Sequence, residues 1–299
     1  PPCSQDRGPR VPTPKNYCKY IFIWVYVVTG GYFHLAYELP KGNVLLSVSG
    51  GRTSGYMLHK ILEANGGLPD RCKVLFANTG REMPETLDFV QRISDTWSIP
   101  ITWVEYTRQD NKVGFNIVNH NSASRSGEPF DTLIYKPYLP NVAKRFCTEE
   151  LKVRTIKRYL VSCGWKRWIN TVGIRADERH RVKESRDNRW INWYPLYEGG
   201  DTNEDVMSFW KRHSFDLEIM KGAGNCDGCF LKSEATLAAM FREHPDRMAW
   251  WTAMEKKIGS TFHKSRSYSD IGSFVERQGS FIFDDESFLC QADDGECTG

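Results

Sequence analysis

The sequence lacks the features of a membrane protein. Nowhere in its 299 residues is there an uninterrupted run of about 20 apolar residues, the length that spans a bilayer. The longest apolar stretch, residues 20–33, is interrupted by Thr29, Gly30 and Gly31. Lys15 and Lys19 precede it, so a signal peptide is the alternative interpretation of this stretch. We expect a cytoplasmic protein with no membrane partner.

The sequence also lacks the regular cysteine pattern of a disulfide-rich protein and a large net charge of either sign. The nine cysteines are an odd number, and Cys226 and Cys229 form the single Cys-x-x-Cys. This pattern excludes the disulfide framework of a small secreted domain and favours a reducing compartment. The net charge of +3 excludes a polyanion-binding surface that covers the whole protein. A nucleic-acid partner would need a local patch, for which the basic run 175–189 is a candidate; the alternative is an ordinary solvated surface.

One stretch, residues 43–62, has the pattern of a strand, a glycine turn and a helix. Its first six residues are an apolar run of strand length. Gly50 and Gly51 allow a sharp turn and a close approach to a ligand. Thr53 and Ser54 then begin a helix, whose N-terminus offers N–H groups to a phosphate. The Gly-Lys-Ser/Thr ending of a Walker A loop is absent, and a turn without a ligand is the alternative.

The pattern of the chain predicts an α/β fold, with a mostly parallel twisted sheet and helices on both faces. Further strands are predicted at 73–77, 101–106, 168–174 and 190–196, and 107–146 is predicted as a long irregular loop. We expect an N-terminal extension, partly disordered, over 1–42, a nucleotide-binding α/β domain over 43–200 and a helical cysteine-bearing lobe over 201–299, which ends in a polar, flexible tail from Gly259. Ligands of such sheets bind beyond the carboxyl ends of the strands, where the glycine turn and Asn78–Gly80 lie.

The cysteines allow three interpretations. Cys226 and Cys229 present two thiols from one turn, and Cys147 comes just before a helix that Thr148 is predicted to cap. With Cys290 or Cys297 as a fourth ligand, they could hold a [4Fe–4S] cluster. Structural Zn²⁺ and a metal-free redox dithiol are the alternatives.

Several blocks occur in one order along the chain. They are Ser49-Gly50-Gly51-Arg52-Thr53-Ser54, Asn78-Thr79-Gly80 with Glu82, Arg145-Phe146-Cys147-Thr148 with Leu151-Lys152, Gly173-Ile174-Arg175 with Glu178, and Cys226-x-x-Cys229. This ordered set resembles the phosphoadenosine phosphosulfate (PAPS) reductase-like family of the adenine nucleotide α-hydrolase, or PP-loop, superfamily. It is most similar to the phage and bacterial type related to the sulfurtransferase of DNA phosphorothioation. Thr53 stands where the commonest PP-loop has Asp.

The resemblance implies an adenine nucleotide, ATP or PAPS, together with Mg²⁺. It implies that the residues from Ser49 to Ser54 hold the phosphates and that the strand end at Phe76–Asn78 lies beside the adenosine. Ser47, Asn78, Thr79 and Gly80 are included among the residues expected to bind the nucleotide. Arg175 and Glu178 would reach towards phosphate or sulfate, for which the planar Arg fork is suited.

Three functions follow from this resemblance. The first is an enzyme that cleaves ATP between the α- and β-phosphates and supports iron–sulfur-dependent transfer of sulfur, from a donor protein, to an acceptor such as a nucleic acid. The second is a reductase of PAPS or adenylylsulfate, with Cys297 as the nucleophile and a thiol protein as the reductant. The tail Gly295-Glu296-Cys297 departs from the Glu-Cys-Gly-Leu-His of true PAPS reductases, and no Cys-Cys pair exists. The third is a nucleotide- or DNA-binding accessory protein without turnover.

Overall fold

The structure, a computed structural model, describes residues 36–134, 138–185, 187–224 and 226–278. Most of the predicted N-terminal extension, up to residue 35, lies outside these residues, as do Cys290 and Cys297.

In the described part of the chain, six strands form one sheet in the order β4-β3-β2-β1-β5-β6. Every neighbouring pair is parallel except β3 with β4, which is antiparallel. The predicted α/β fold with a mostly parallel sheet is therefore confirmed. The strands are β1 (Val44–Val48), β2 (Cys72–Asn78), β3 (Ile101–Gln109), β4 (Lys112–Val118), β5 (Trp168–Thr171) and β6 (Trp190–Trp193).

Helices follow most of the strands, as parallel crossovers require. The α-helices are α1 (Arg52–Asn65), α2 (Pro84–Thr96), α3 (Glu128–Leu133), α4 (Thr155–Ser162), α5 (Pro195–Gly199), α6 (Asn203–Lys211), α7 (Glu234–Glu243), α8 (Pro245–Ile258) and α9 (Tyr268–Gln278). A π-helical turn, Thr148–Arg154, leads into α4, and a 3₁₀ turn, Ala176–Arg181, follows β5.

The two faces of the sheet are covered by different helices, because successive side chains of a strand point to opposite faces. Leu46 and Phe76 pack in a core with α1, α2 and α6. Leu45, Leu75 and Val104 pack in another core with α4. The predicted arrangement of helices on both faces is confirmed by this alternation.

Residues 107–146, predicted to be irregular, contain regular structure. Strand β4 pairs with β3 through the two-residue turn Asp110-Asn111, whose φ angles of 48° and 61° are those of a hairpin turn. The pattern of β4 was hard to detect because it is an edge strand with several exposed positions. Helix α3, the other regular element, has only six residues.

Four further features differ from prediction. The predicted strands 168–174 and 190–196 end at Thr171 and Trp193, and the chain then leads into the 3₁₀ turn that begins at Ala176 and into α5, which begins at Pro195. Thr148 lies inside the π-helical turn and does not cap a helix. The region after Gly259, predicted as a polar tail, contains α9.

The helices after residue 200 pack in two places. Helix α6 joins the core beneath α1 through Val206 and Trp210. Helices α7, α8 and α9 surround a separate core that also takes in Tyr106 of β3 and Phe130 of α3. The domain boundary at residue 200 stays a prediction. No helix among the described residues has the length and apolar character that a membrane span requires.

An aromatic cluster between α1 and α6 contains two histidines. The ring of His59 lies 4.8 Å from that of Phe209, 5.1 Å from Trp97 and 5.4 Å from His213, measured between centroids. Burial lowers the pKa of His59; the nearby Glu63, on the solvent side, opposes this shift, and electrostatic interactions with His213 and Lys60 add to it. The folded protein therefore prefers the neutral form of His59.

We expect the stability of the protein to fall as the pH drops below about 6.5, where the unfolded chain protonates this histidine before the folded chain does. The free energy of unfolding, measured with urea at pH 8 and at pH 5.5, should decrease more for the wild type than for His59→Gln. The control is His120→Gln, at a partly exposed histidine outside the cluster. Equal decreases in the wild type and His59→Gln would contradict the prediction.

Candidate functional site

The glycine turn between β1 and α1 has a conformation that requires its first glycine. Gly50 has φ of +89°, and a Cβ atom there would lie 2.5 Å from Cγ2 of Thr86 at the start of α2. Gly51 is the N-cap of α1 in an extended conformation, and within the described chain no side chain caps this helix. The N-terminus of α1 therefore presents its N–H groups and its positive dipole end at the edge of the sheet.

Two serines hold the turn in shape. Ser54 Oγ accepts a hydrogen bond from Ser49 N at 3.1 Å and donates one to the carbonyl oxygen of Gly51 at 3.0 Å. The hydroxyl of Ser49 lies 3.1 Å from that of Ser54. Both serines also line a cavity, together with Ser47. Three of the predicted nucleotide-binding residues are thus brought together around one space.

The cavity lies between the sheet and the segment formed by the π-helical turn and α4. Lys152 and Lys157 reach it from that segment, and Trp168 and Trp190 line it from β5 and β6. Lys157 is paired with Asp187, and its ammonium lies 5.6 Å from the ring centre of Trp190. Hydroxyls, ammonium groups and aromatic rings can together accommodate a ligand that carries both phosphate and a flat base.

Arg52 and Thr53, also predicted to hold phosphates, are engaged within the protein. The guanidinium of Arg52 makes two hydrogen bonds to Asp216, at 2.7 and 3.0 Å. Thr53 is fully buried, and its Oγ1 accepts a hydrogen bond from Nη1 of Arg175 at 3.2 Å. Neither residue lines the cavity.

Arg175 and Glu178 lie together behind the turn, and both are almost completely buried. Arg175 binds Asp177 through Nε and Nη2, at 3.1 and 3.2 Å. Glu178 accepts a hydrogen bond from the backbone N–H of Arg175 and is paired with Arg181. Part of the basic run 175–189 is therefore internal, while Arg186 lies outside the described residues.

Asn78, Thr79 and Gly80 are buried at the end of β2. The side chain of Asn78 donates to Glu105 at 2.5 Å and to the carbonyl oxygen of Ser124 at 2.8 Å. Gly80 has φ of +78°, and a Cβ atom there would lie 2.9 Å from Cδ of Pro129. These contacts join the end of β2 to the middle of β3, to the loop that follows β4 and to the start of α3.

A thiol lies at the same edge of the sheet. Oε2 of Glu82, whose side chain is buried, accepts from the N–H of Thr79 at 2.9 Å and from its hydroxyl at 2.8 Å. The Thr79 hydroxyl is 3.3 Å from Sγ of Cys226. Burial and the nearby Glu82 raise the pKa of Cys226, so this thiol is protonated at neutral pH. Nζ of Lys152, which lines the cavity, lies 3.7 Å from Oε1 of Glu82.

The predicted cluster ligands are only partly within the described chain. Cys147, Cys226 and Cys229 all pack against the core of the C-terminal helices. Among the described residues, however, no group of three or more His, Cys, Asp or Glu side chains is arranged to hold a metal ion. The described residues therefore do not themselves form a site for [4Fe–4S] or Zn²⁺. The predicted fourth ligands, Cys290 and Cys297, lie outside them, and the cluster stays a prediction.

The Cys-x-x-Cys turn is fixed in place by the acidic residue between the two cysteines. The carboxylate of Asp227 is fully buried and accepts hydrogen bonds from Arg81 at 2.7 Å, from Arg247 at 2.6 Å and from the indole of Trp251 at 2.6 Å. Its backbone N–H donates to the carbonyl oxygen of Arg81. Asp227 thereby joins the turn both to the end of β2 and to α8.

Sequence reasoning assigned no role to several residues of the site. Lys152, which lines the cavity, belongs to the Arg145–Lys152 motif, but no role was predicted for it. The rule that ligands bind at the carboxyl ends of parallel strands would have indicated the end of β5, where Thr171 also lines the cavity. Asp216 and Lys157 gave no local signal. Their partners Arg52 and Trp190 lie far away in the sequence.

The strand order, the glycine turn after β1 and the cavity beside it define a protein of the PP-loop superfamily. Residues 43–273 match the phosphoadenosine phosphosulfate reductase domain. The chain belongs to this family, so the resemblance that the sequence motifs indicated is confirmed. Membership indicates a nucleotide-binding function of the PP-loop type, and the family in general consists of enzymes.

Two phage proteins are similar to this chain. The "uncharacterized nin region protein ORF290" of Escherichia phage lambda is 31% identical over 198 residues, which are 63% of this chain and 66% of that protein. The "uncharacterized 37.8 kDa protein in gpa 5′ region" of Escherichia phage 186 is 23% identical over 271 residues, or 75% of this chain and 77% of that one. Among solved structures, the PAPS reductase of Candida auris in complex with phosphate overlaps with a TM-score of 0.39 at 15% identity, covering 67% of this chain and 80% of that one.

We expect Asp227→Ala to destabilise the protein by about 3–5 kcal/mol, because it leaves the buried guanidinium of Arg81 and the half-buried guanidinium of Arg247 without their carboxylate. Glu149→Ala, which breaks an exposed pair with Arg154, is the matched control and should cost less than about 0.5 kcal/mol. The free energy of unfolding of both variants is measured by urea titration, with tryptophan fluorescence as the signal. A loss of less than about 1 kcal/mol for Asp227→Ala would show that the network does not hold the turn.

Proposed function

We propose that the protein is an enzyme that binds ATP with its phosphates at the glycine turn and cleaves it between the α- and β-phosphates. One observation carries this proposal. The uncapped N-terminus of α1 lies beside a cavity that is lined by Ser47, Ser49 and Ser54 and by two lysines. N–H groups, hydroxyls and ammonium groups are the donors that bind phosphate oxygens.

The turn would act on the leaving group. An acceptor nucleophile forms a bond to the α-phosphorus while the bond from that phosphorus to the bridging oxygen breaks, and pyrophosphate leaves with the electron pair. Donors that are already fixed by Ser49 and Ser54 can stabilise the charge that develops on pyrophosphate without rearranging. This is the differential binding of the transition state on which catalysis depends.

The described lining of the cavity contains no carboxylate, the side chain that usually binds Mg²⁺ in proteins. No step is therefore assigned to this ion. A sulfur donor protein would supply the sulfur that replaces AMP on the activated acceptor, for which a nucleic acid is one candidate. No step is assigned to an iron–sulfur cluster, since the described residues do not form its site.

We expect Gly51→Asp to abolish the binding of ATP, because it places a negative charge at the N-cap where the phosphates would lie. Isothermal titration calorimetry should show a loss of affinity of at least about tenfold. The control is Gly114→Asp in the edge strand β4, where the nearest atom to an added Cβ is 3.4 Å away. Binding of ATP that survives Gly51→Asp would refute the assignment of the turn.

A second candidate is a thiol-dependent reductase of PAPS or adenylylsulfate. The sulfur of Cys297 would bond to the substrate sulfur while the bond from that substrate sulfur to the phosphate oxygen breaks and the nucleotide leaves; a second thiol would then displace sulfite and form a disulfide, which a thiol protein reduces. This candidate is favoured by the position of the Cys226 thiol near the end of β2, at the edge where the nucleotide would bind. Cys226 could there serve as the second thiol, the partner of Cys297. A third candidate, a binding protein without turnover, predicts that ATP binds and that no pyrophosphate is released.

We expect Cys297→Ser to leave ATP-dependent pyrophosphate release unchanged, because the first proposal gives this residue no part in that step. Cys163→Ser, at an exposed position, is the control. Reduction of PAPS by the wild type, measured as sulfite and lost in Cys297→Ser alone, would favour the reductase instead.

A further inference from the structure

We propose that Asp216 is a positioning residue of the glycine turn, and that Arg52, through which it acts, is an anchor of the turn and not a phosphate ligand. This inference rests on the proposed binding of ATP at the turn. It assigns part of the site to the segment that follows α6, outside the region where the sequence indicated a nucleotide-binding domain.

The guanidinium of Arg52 is held by three hydrogen bonds. Nε and Nη2 bind the two carboxylate oxygens of Asp216, and Nη2 also donates to the carbonyl oxygen of Leu217 at 2.6 Å. Leu217 is 1% exposed and belongs to the core beneath α1. Asp216 accepts a further hydrogen bond from the N–H of Leu217 at 2.7 Å. The anchor is therefore itself fixed to the core.

The backbone of Arg52 is held from the same side. The indole N–H of Trp210, the last but one residue of α6, donates to the carbonyl oxygen of Arg52 at 2.8 Å. The Trp210 ring also packs so closely on α1 that a Cβ atom on Gly55 would lie 2.8 Å from it. Side chain and main chain of one residue are thus fixed independently by residues 210–217.

Arg52 directly follows the N-cap Gly51, so the position of this residue sets the direction of the N–H groups that would meet the phosphates. A turn with two glycines is flexible by itself and loses much conformational entropy when it is ordered. Holding Arg52 before the ligand arrives removes that loss from the binding step, which raises affinity.

The two roles of Arg52 predict opposite effects when Asp216 loses its charge. If Arg52 were a phosphate ligand, Asp216 would compete with the nucleotide for it, and Asp216→Asn would leave ATP affinity unchanged or increase it. If Arg52 is an anchor, Asp216→Asn loosens the turn and decreases affinity. The sign of the change therefore separates the two roles.

The experiment measures the dissociation constant of ATP for the full chain by calorimetry, together with the melting temperature without ligand. We expect Asp216→Asn to bind ATP about tenfold more weakly, as the loss of one charge-assisted pair implies. Asp216→Glu should restore part of the affinity. The matched control is Glu218→Gln, two residues away, whose exposed carboxylate lies 3.7 Å from Arg92; it should bind ATP like the wild type.

A second variant keeps the test independent of folding. Arg52→Lys retains the positive charge but cannot form the two-pronged bond. We expect Arg52→Lys to weaken ATP binding as much as Asp216→Asn does. The double variant should bind ATP with the same affinity as either single variant, because both substitutions break the same ion pair. Affinity that is unchanged or higher in Asp216→Asn, or full affinity in Arg52→Lys, would overturn the inference. If the wild type and Glu218→Gln both fail to bind ATP, the proposed function itself fails, and the inference with it.

Discussion

The site depends on the absence of a side chain at Gly50. Because this residue has no Cβ, the first turn of α2 can lie against the turn that follows β1, where Thr86 occupies the space a side chain would take. The ends of β1 and β2 and the N-termini of α1 and α2 are thereby drawn to one place. The serine hydroxyls lie on the turn that follows β1, and the buried Glu82 and the thiol of Cys226 both contact Thr79, just after β2.

Buried charges hold the rest of this edge, and each is stabilised by oppositely charged partners, some local in the sequence and one, Arg81 with Asp227, 146 residues apart. Asp227 is neutralised by Arg81 and Arg247, and the charge of Arg175 is balanced by Asp177 and Glu178. Such pairs contribute little net stability after desolvation, but an alternative packing would leave a charge unpaired. The network therefore favours one arrangement of the C-terminal helices against the sheet.

Sequence reasoning succeeded where local and periodic signals agree. The strand, turn and helix around Gly50 were predicted because an apolar run, two glycines and the start of an amphipathic helix all fall within twenty residues. The parallel sheet was predicted because the alternation of strand and helix repeats along the chain. The edge strand β4 was missed because exposed positions weaken its alternation. The direction of the Arg52 side chain could not be predicted, since its partner Asp216 is 164 residues away and no local pattern records that distance.

The contact between Arg52 and Asp216 also sets an order of events during synthesis. Strand β1 and α1 leave the ribosome early, and domains generally begin to fold from the N-terminus as the chain emerges. Trp210 and Asp216 form hydrogen bonds to Arg52 in the first turn of α1, and both emerge only after all six strands of the described sheet have been made. A nascent chain that ends at β6 would hold every strand of the described sheet and still lack the part that fixes its glycine turn. The turn is thus translated before the other loops and the helices of the site, and it is completed only when residues 210–217 have been made.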